Sequence, residues 1–186
     1  MRLFVSVDLP NDLAPAVEAV QDDLREASGL NCIDPEQAHV TLTFLGETAP
    51  ERLDEIEDAL EAAVGEADLD PFEATVEGIG AFPSEEYIRV VWLGIGRGGE
   101  GLSRLHETIE ARTTDLGFDP EDHEFTPHVT LARMNHAGGK DLLKRVLRER
   151  DPGVGSMRVD EVRLTESELG ARGPEYSTVA RFPLGE

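Results

Sequence analysis

Apolar and polar positions repeat along this chain with two periods, about two and about 3.6 residues, and together they predict an α+β protein. Residues 2–8 are an apolar run of strand type, and residues 12–27 place Leu13, Val17, Val20 and Leu24 on one face of an amphipathic helix. A β-branched run at 38–45 predicts the next strand. Thr48-Ala49-Pro50-Glu51 then reads as a capping box with proline in the first turn, opening a helix whose inner face is Leu53, Ile56, Leu60 and Val64. A strand at 72–80 closes this half. The order then repeats as strand 87–95, helix 101–115 with Leu102, Leu105 and Ile109 inside, strand 127–134, helix 139–149, and strands near 157–165 and 176–183.

The pattern is that of a duplicated strand-helix-strand-helix-strand unit. Either unit alone leaves one sheet face open, so the expected fold is bilobed: two antiparallel sheets facing across a central cleft, with helices on the outside. The halves span about 1–80 and 87–186, and the turn-rich link Gly80-Ala81-Phe82-Pro83-Ser84-Glu85-Glu86 is read as a crossover, making residues 1–186 one two-lobed domain.

The duplication carries a phrase written twice, His39-Val40-Thr41-Leu42 and His128-Val129-Thr130-Leu131. Residues two apart in a strand share a face, so each copy offers an imidazole and a hydroxyl on one side and two apolar side chains on the other. Brought together, the two strands supply two acid/base groups and two hydroxyl donors, a set suited to an anionic centre such as phosphate. Two further residues are candidate substrate contacts. Trp92 can stack on a base, although an aromatic in an apolar strand favours a core role. Strand parity puts Arg133 on the face opposite His128 unless a bulge intervenes, which favours a structural ion pair over a phosphate contact.

Other motifs add little. Gly94-Ile95-Gly96-Arg97-Gly98-Gly99 fits G-x-G-x-x-G between a strand and a helix, but the following strand is the second His-Thr strand, so a glycine-rich turn is the better reading. There is no G-x-x-x-x-G-K-[ST] and no H-E-x-x-H, and neither motif histidine has a partner at metal-ligand spacing. No metal and no cofactor are expected. His106, His123 and His136 are read as solvated, and Cys32, the single cysteine, as a small half-buried residue.

Composition then narrows the partners. Asp and Glu total 39 against 17 Lys and Arg, a net charge of −22, and only Lys140 and Lys144 are lysines. That balance argues against broad phosphate neutralisation, so any RNA is expected to be held locally, as an end or a single nucleotide in a small pocket. An acidic, lysine-poor surface is the expected adaptation to molar salt, where self-repulsion is screened. The N-terminal apolar run is too short for a signal peptide and no stretch approaches a membrane span, so a soluble, cytoplasmic protein is expected, with no membrane and no obligate protein partner.

The doubled H-x-T-x motif resembles that of the two-histidine (2H) phosphoesterase superfamily, and within it the RNA 2′,3′-cyclic phosphodiesterases, also called 2′-5′ RNA ligases. The similarity extends to Arg2-Leu3-Phe4-Val5, Thr43-Phe44-Leu45-Gly46-Glu47, Ala81-Phe82-Pro83, Val91-Trp92-Leu93-Gly94, Phe125-Thr126-Pro127 and Arg181-Phe182-Pro183-Leu184. Asn31-Cys32-Ile33-Asp34 departs from it, lacking the aromatic often found there. The resemblance implies metal-independent hydrolysis of a 2′,3′-cyclic phosphate on RNA or a nucleotide to a 2′-phosphate. It makes His39 the proton donor and His128 the proton acceptor, with Thr41 and Thr130 on the phosphate. Run backwards, the same site joins ends in a 2′-5′ bond without ATP. Alternative readings are a phosphodiesterase for small cyclic nucleotides or ADP-ribose cyclic phosphate, and a non-catalytic module that binds RNA ends.

Overall fold

A computed structural model describes residues 1–84, 86–121, 124–149, 151–171 and 173–185. In chain order the strands and helices are β1 (Arg2–Asp8), α1 (Ala14–Leu24), β2 (Leu30–Cys32), β3 (His39–Glu47), α2 (Leu53–Ala67), β4 (Phe72–Pro83) and β5 (Ile88–Ile95). They continue as α3 (Gly99–Asp115), β6 (His128–Met134), α4 (Lys140–Glu149), β7 (Gly153–Val159), β8 (Glu161–Gly170) and β9 (Gly173–Pro183). Every strand pair is antiparallel, in the order β7-β4-β5-β6-β3-β1-β8-β9, with β2 beside β6.

The expected α+β architecture is present, and its two sheets meet edge to edge. The motif strands β3 and β6 are the junction, paired through Val40 and Val129. Beyond that point they part, because β2 takes the far end of β6 from Leu30↔Met134 to Cys32↔Ala132. The cleft is therefore one face of a single curled sheet.

The halves in space are not the halves in sequence. Strand β4, expected to close the first half, instead pairs with β5 and β7, while β8 and β9 return to β1. The residue 80–86 link is accordingly the end of β4 and a hairpin turn, with Glu85 outside the described residues, and not a crossover. The helices exchange too: α1 and α4 pack with each other and α1 lies against β6 and β7, whereas α3 packs on β3 and α2 on α3 and β9. The apolar strand face explains this order. Val40, Leu42, Val129 and Leu131 are buried beneath these helices with Val17, Leu24, Ile56, Leu60, Leu102, Leu105, Ile109 and Leu143.

Two local expectations change. The single strand at 157–165 is two, β7 and β8, separated only by Asp160, so alternation carried straight across the crossing point between halves. The capping box at Thr48 does not form: Pro50–Arg52 is a turn of 3-10 helix with no side-chain cap, and the Thr48 hydroxyl donates to the Gly46 carbonyl at 3.0 Å. Among the described residues no helix is long and apolar enough to cross a membrane.

Candidate active site

His39 and Thr41 on β3, and His128 and Thr130 on β6, are half-buried between fully buried neighbours, so all four occupy the open face. Antiparallel pairing about Val40 and Val129 sets His39 toward Thr130 and His128 toward Thr41. Each imidazole is tethered in the same way. Nδ1–H of His39 donates to the Gln37 carbonyl at 2.9 Å, and Nδ1–H of His128 to the Thr126 carbonyl at 2.6 Å. A carbonyl can only accept, so both Nδ1 atoms carry hydrogen and Nε2 is the atom left to exchange a proton. Among the described residues the hydroxyls of Thr41 and Thr130 have no protein partner, unlike Thr43, which donates to the Leu42 carbonyl at 2.7 Å.

Both motif strands then bulge at the same place. In β3, Thr41 pairs with Ser6 and Thr43 with Val5, leaving Leu42 unopposed, and Leu42 and Thr43 are both buried. In β6, Thr130 pairs with Trp92 and Ala132 with Val91, leaving Leu131 unopposed, and Leu131 and Ala132 are both buried. An extra residue reverses the parity of all that follow. Phe44, 51% exposed, and Arg133 consequently share the face of the histidines. The structural ion pair favoured for Arg133 is not found among the described residues; its charge instead acts on His39 and Tyr176 in the cleft.

Each bulge is held from behind by a buried polar side chain. Nδ1–H of His106, on α3, donates to the Leu42 carbonyl at 2.7 Å. Nε2 of Gln21, on α1, donates to the Leu131 carbonyl at 3.1 Å and to the Ile33 carbonyl at 2.8 Å. His106 also stacks on Phe125, three residues before His128, with ring centroids 4.2 Å apart. The solvated reading of His106 is thus overturned: a short polar residue on a helix that packs on the bulged strand is drawn inward by an unmatched carbonyl.

Aromatic side chains wall both histidines. Phe4 stacks on His39 at 5.0 Å and Tyr176 meets it edge-on at 5.2 Å. Phe82 meets His128 edge-on at 4.8 Å, with Trp92 at 6.0 Å. The core role favoured for Trp92 is also overturned, since it is half-buried beside Thr130 on the cleft face. Its indole lies across Gly80, where a Cβ would collide with the ring, and its Nε1 is buried with no partner. Phe4, Phe44 and Phe82 lie in phrases that carry the family resemblance, but nothing in the sequence marks them, or Tyr176 between Glu175 and Ser177, as cleft residues.

The two histidines differ in their surroundings. Asp8 lies directly across from His39, whereas Gly94 takes that place beside His128. Burial pushes the His39 imidazole below its ordinary value, the Gln37 carbonyl and the Asp8 carboxylate pull it back up, and Arg133 adds to the downward push. Asp8 is itself held by Arg163 at 2.8 Å and by the Ser6 hydroxyl at 3.2 Å. Burial likewise pushes the Tyr176 phenol up.

The remaining candidates lie apart. His136 is exposed and accepts from the Gly138 N–H at 3.0 Å; His123 falls outside the described residues. Cys32 is half-buried on β2, and burial raises its thiol. Gly98, at φ 89°, turns the chain into α3 against the Glu73 carbonyl and Ala74, a turn packed on β4. Among the described residues no three His, Cys, Asp or Glu side chains gather in a metal-holding group.

Comparison with known proteins fits this geometry. A protein named RNA 2′,3′-cyclic phosphodiesterase from Methanothermobacter thermautotrophicus is 36% identical over 186 residues, covering 99% of each chain. One of the same name from Archaeoglobus fulgidus is 35% identical over 184 residues, covering 98% of this chain and 99% of its own. Among solved structures, the protein TT0787 of Thermus thermophilus superposes with a TM-score of 0.81 at 33% identity, covering 99% of this chain and 98% of its own. The Escherichia coli LigT complex with 3′-AMP superposes with a TM-score of 0.79 at 26% identity, covering 100% and 98%. The sequence pattern of the 2′-5′ RNA ligase superfamily matches residues 9–171, and this chain belongs to that superfamily.

Proposed function

We propose that this protein is an RNA 2′,3′-cyclic phosphodiesterase, hydrolysing the cyclic phosphate at an RNA end to a 2′-phosphate. The observation that carries the reading is the paired presentation of two imidazoles. Identical backbone tethers hold both imidazoles by Nδ1 on adjacent antiparallel strands, on the sheet face that also carries the two threonine hydroxyls. The relatives named for this activity, nearly equal in length to this chain, support it.

His128 Nε2 takes a proton from water as its oxygen attacks phosphorus. The bond from phosphorus to the 3′-oxygen breaks, and His39 Nε2–H gives that oxygen its proton, leaving the phosphate on the 2′-oxygen. The assignment follows the resemblance to the two-histidine phosphoesterases, in which the first-motif histidine is the proton donor. Asp8 opposite His39 favours the imidazolium, and an anionic phosphate entering the cleft favours it further, against the downward push of burial. Thr41 and Thr130 donate to the non-bridging oxygens and Arg133 adds positive charge as theirs grows. Trp92 and Phe44 offer stacking surfaces for a base. The protein acts in the cytoplasm of a salt-adapted cell.

The test is incubation of an oligoribonucleotide bearing a 2′,3′-cyclic end with the protein in EDTA, followed by location of the phosphate in the product. A 2′-phosphate is expected; a 3′-phosphate, or complete loss of activity with EDTA, overturns the reading.

A further inference from the structure

Five of the 17 basic residues of this acidic chain fall between 140 and 150, among them both of its lysines. Lys140, Lys144 and Arg148 are four residues apart on α4 and form one stripe. Like charges at that spacing oppose helix formation, so the stripe is not there to stabilise α4. The helix is anchored instead by Leu143, Val146 and Leu147, all buried. Among the described residues none of the three cations forms an ion pair, in a protein where carboxylates outnumber basic groups more than two to one.

The stripe lines an open hollow of about 720 Å³ completed by Ser84 and Glu86, so among the described residues three cations face one carboxylate. The Ser84 oxygen accepts from the Tyr87 N–H at 3.1 Å, which leaves its O–H to donate outward. The chain ties the hollow to the wall of the reaction centre through Ser84 and Phe82. Ser84 is two residues beyond Phe82, at most about 7 Å of extended chain, and the Phe82 ring lies 4.8 Å from that of His128.

We propose that this hollow is a second phosphate subsite, in which Lys140, Lys144 and Arg148 hold the backbone of the RNA strand upstream of its cyclic end. The inference rests on the RNA-end reading above and deepens it: the substrate is an oligonucleotide and not a lone cyclic nucleotide. It also explains how a strongly acidic protein holds a polyanion, since the attraction is concentrated beside the cleft and needs no basic surface elsewhere.

The test compares K140Q/K144Q with the unaltered protein on a cyclic-ended octaribonucleotide and on a 2′,3′-cyclic mononucleotide, at several salt concentrations at which both proteins are folded. For the oligonucleotide KM rises about tenfold with kcat unchanged, and the slope of log(kcat/KM) against log salt falls by about 0.7 per lysine removed. For the mononucleotide neither constant changes. Equal effects on both substrates, or none on either, overturn the subsite. Should neither substrate turn over, the proposed activity fails separately, and anisotropy of a fluorescent octaribonucleotide ending in a 2′-phosphate still decides: weaker binding by K140Q/K144Q supports the subsite, and unchanged binding overturns it.

Discussion

His106 donates its Nδ1–H to the Leu42 carbonyl at 2.7 Å, at the residue where the first motif strand bulges. Gln21 does the same for Leu131 in the second. The bulges turn Phe44 and Arg133 toward the histidines, so these two bonds shape the cleft from its dry side. H106L removes one of the two bonds to the Leu42 carbonyl, leaving that from Thr43, and lowers stability by about 1 kcal/mol. It also lowers kcat in protein that remains fully folded, because the cleft face shifts. H106Q, which copies the solution of the other half, restores most of both. Chemical denaturation and kcat of the three proteins check this; a folded H106L with unaltered kcat contradicts it.

Asp8, across the strand pair, raises the His39 imidazole against the larger downward push of burial. Removing its negative charge in D8N disfavours the imidazolium, so the alkaline limb of the kcat/KM profile, where the acid loses its proton, moves to lower pH. An unmoved or raised limb contradicts the role. The same histidine links pH to stability. Its folded value lies below its ordinary 6.5, so the unfolded chain binds the proton more readily. The His39 contribution is therefore complete above 6.5 and is lost as pH falls through the lowered folded value. H39Q flattens that slope in pH-dependent melts, and an unchanged slope counts against it.

The two histidines are distinguished by the leaving group. A phosphodiester that expels p-nitrophenolate needs no proton on departure, so H39A loses far less activity on it than on the cyclic RNA end, whereas H128A loses a similar factor on both. Equal sensitivity of the two variants to the leaving group reverses or removes the assignment.

Salt tests the charge argument. A net charge of −22 repels itself over about 10 Å at 0.1 M salt but only about 3 Å at 1 M. Circular dichroism during dilution from molar salt is expected to show loss of structure; equal folding and activity without added salt contradict salt adaptation.

Much of this was legible in the residues. Period-two and period-3.6 patterns locate the main elements, and the repeated phrase marks the four half-buried groups of the cleft, because each depends only on near neighbours. Arg133 was misplaced because a single extra residue inverts parity, and Leu131-Ala132 carries no mark of a bulge that a partner strand creates. His106 and Gln21 were missed for the same reason: their partners are carbonyls that lie far away in sequence. The exchange of elements between halves was hidden at Asp160, where one residue separates strands bound for opposite sides.

Paired acid/base catalysis by His39 and His128 is tested most directly by kcat of H39A and H128A on a cyclic-ended oligoribonucleotide. Each substitution is predicted to cost at least about 10²-fold with the fold intact, and a loss below about tenfold in both would contradict the two-histidine mechanism.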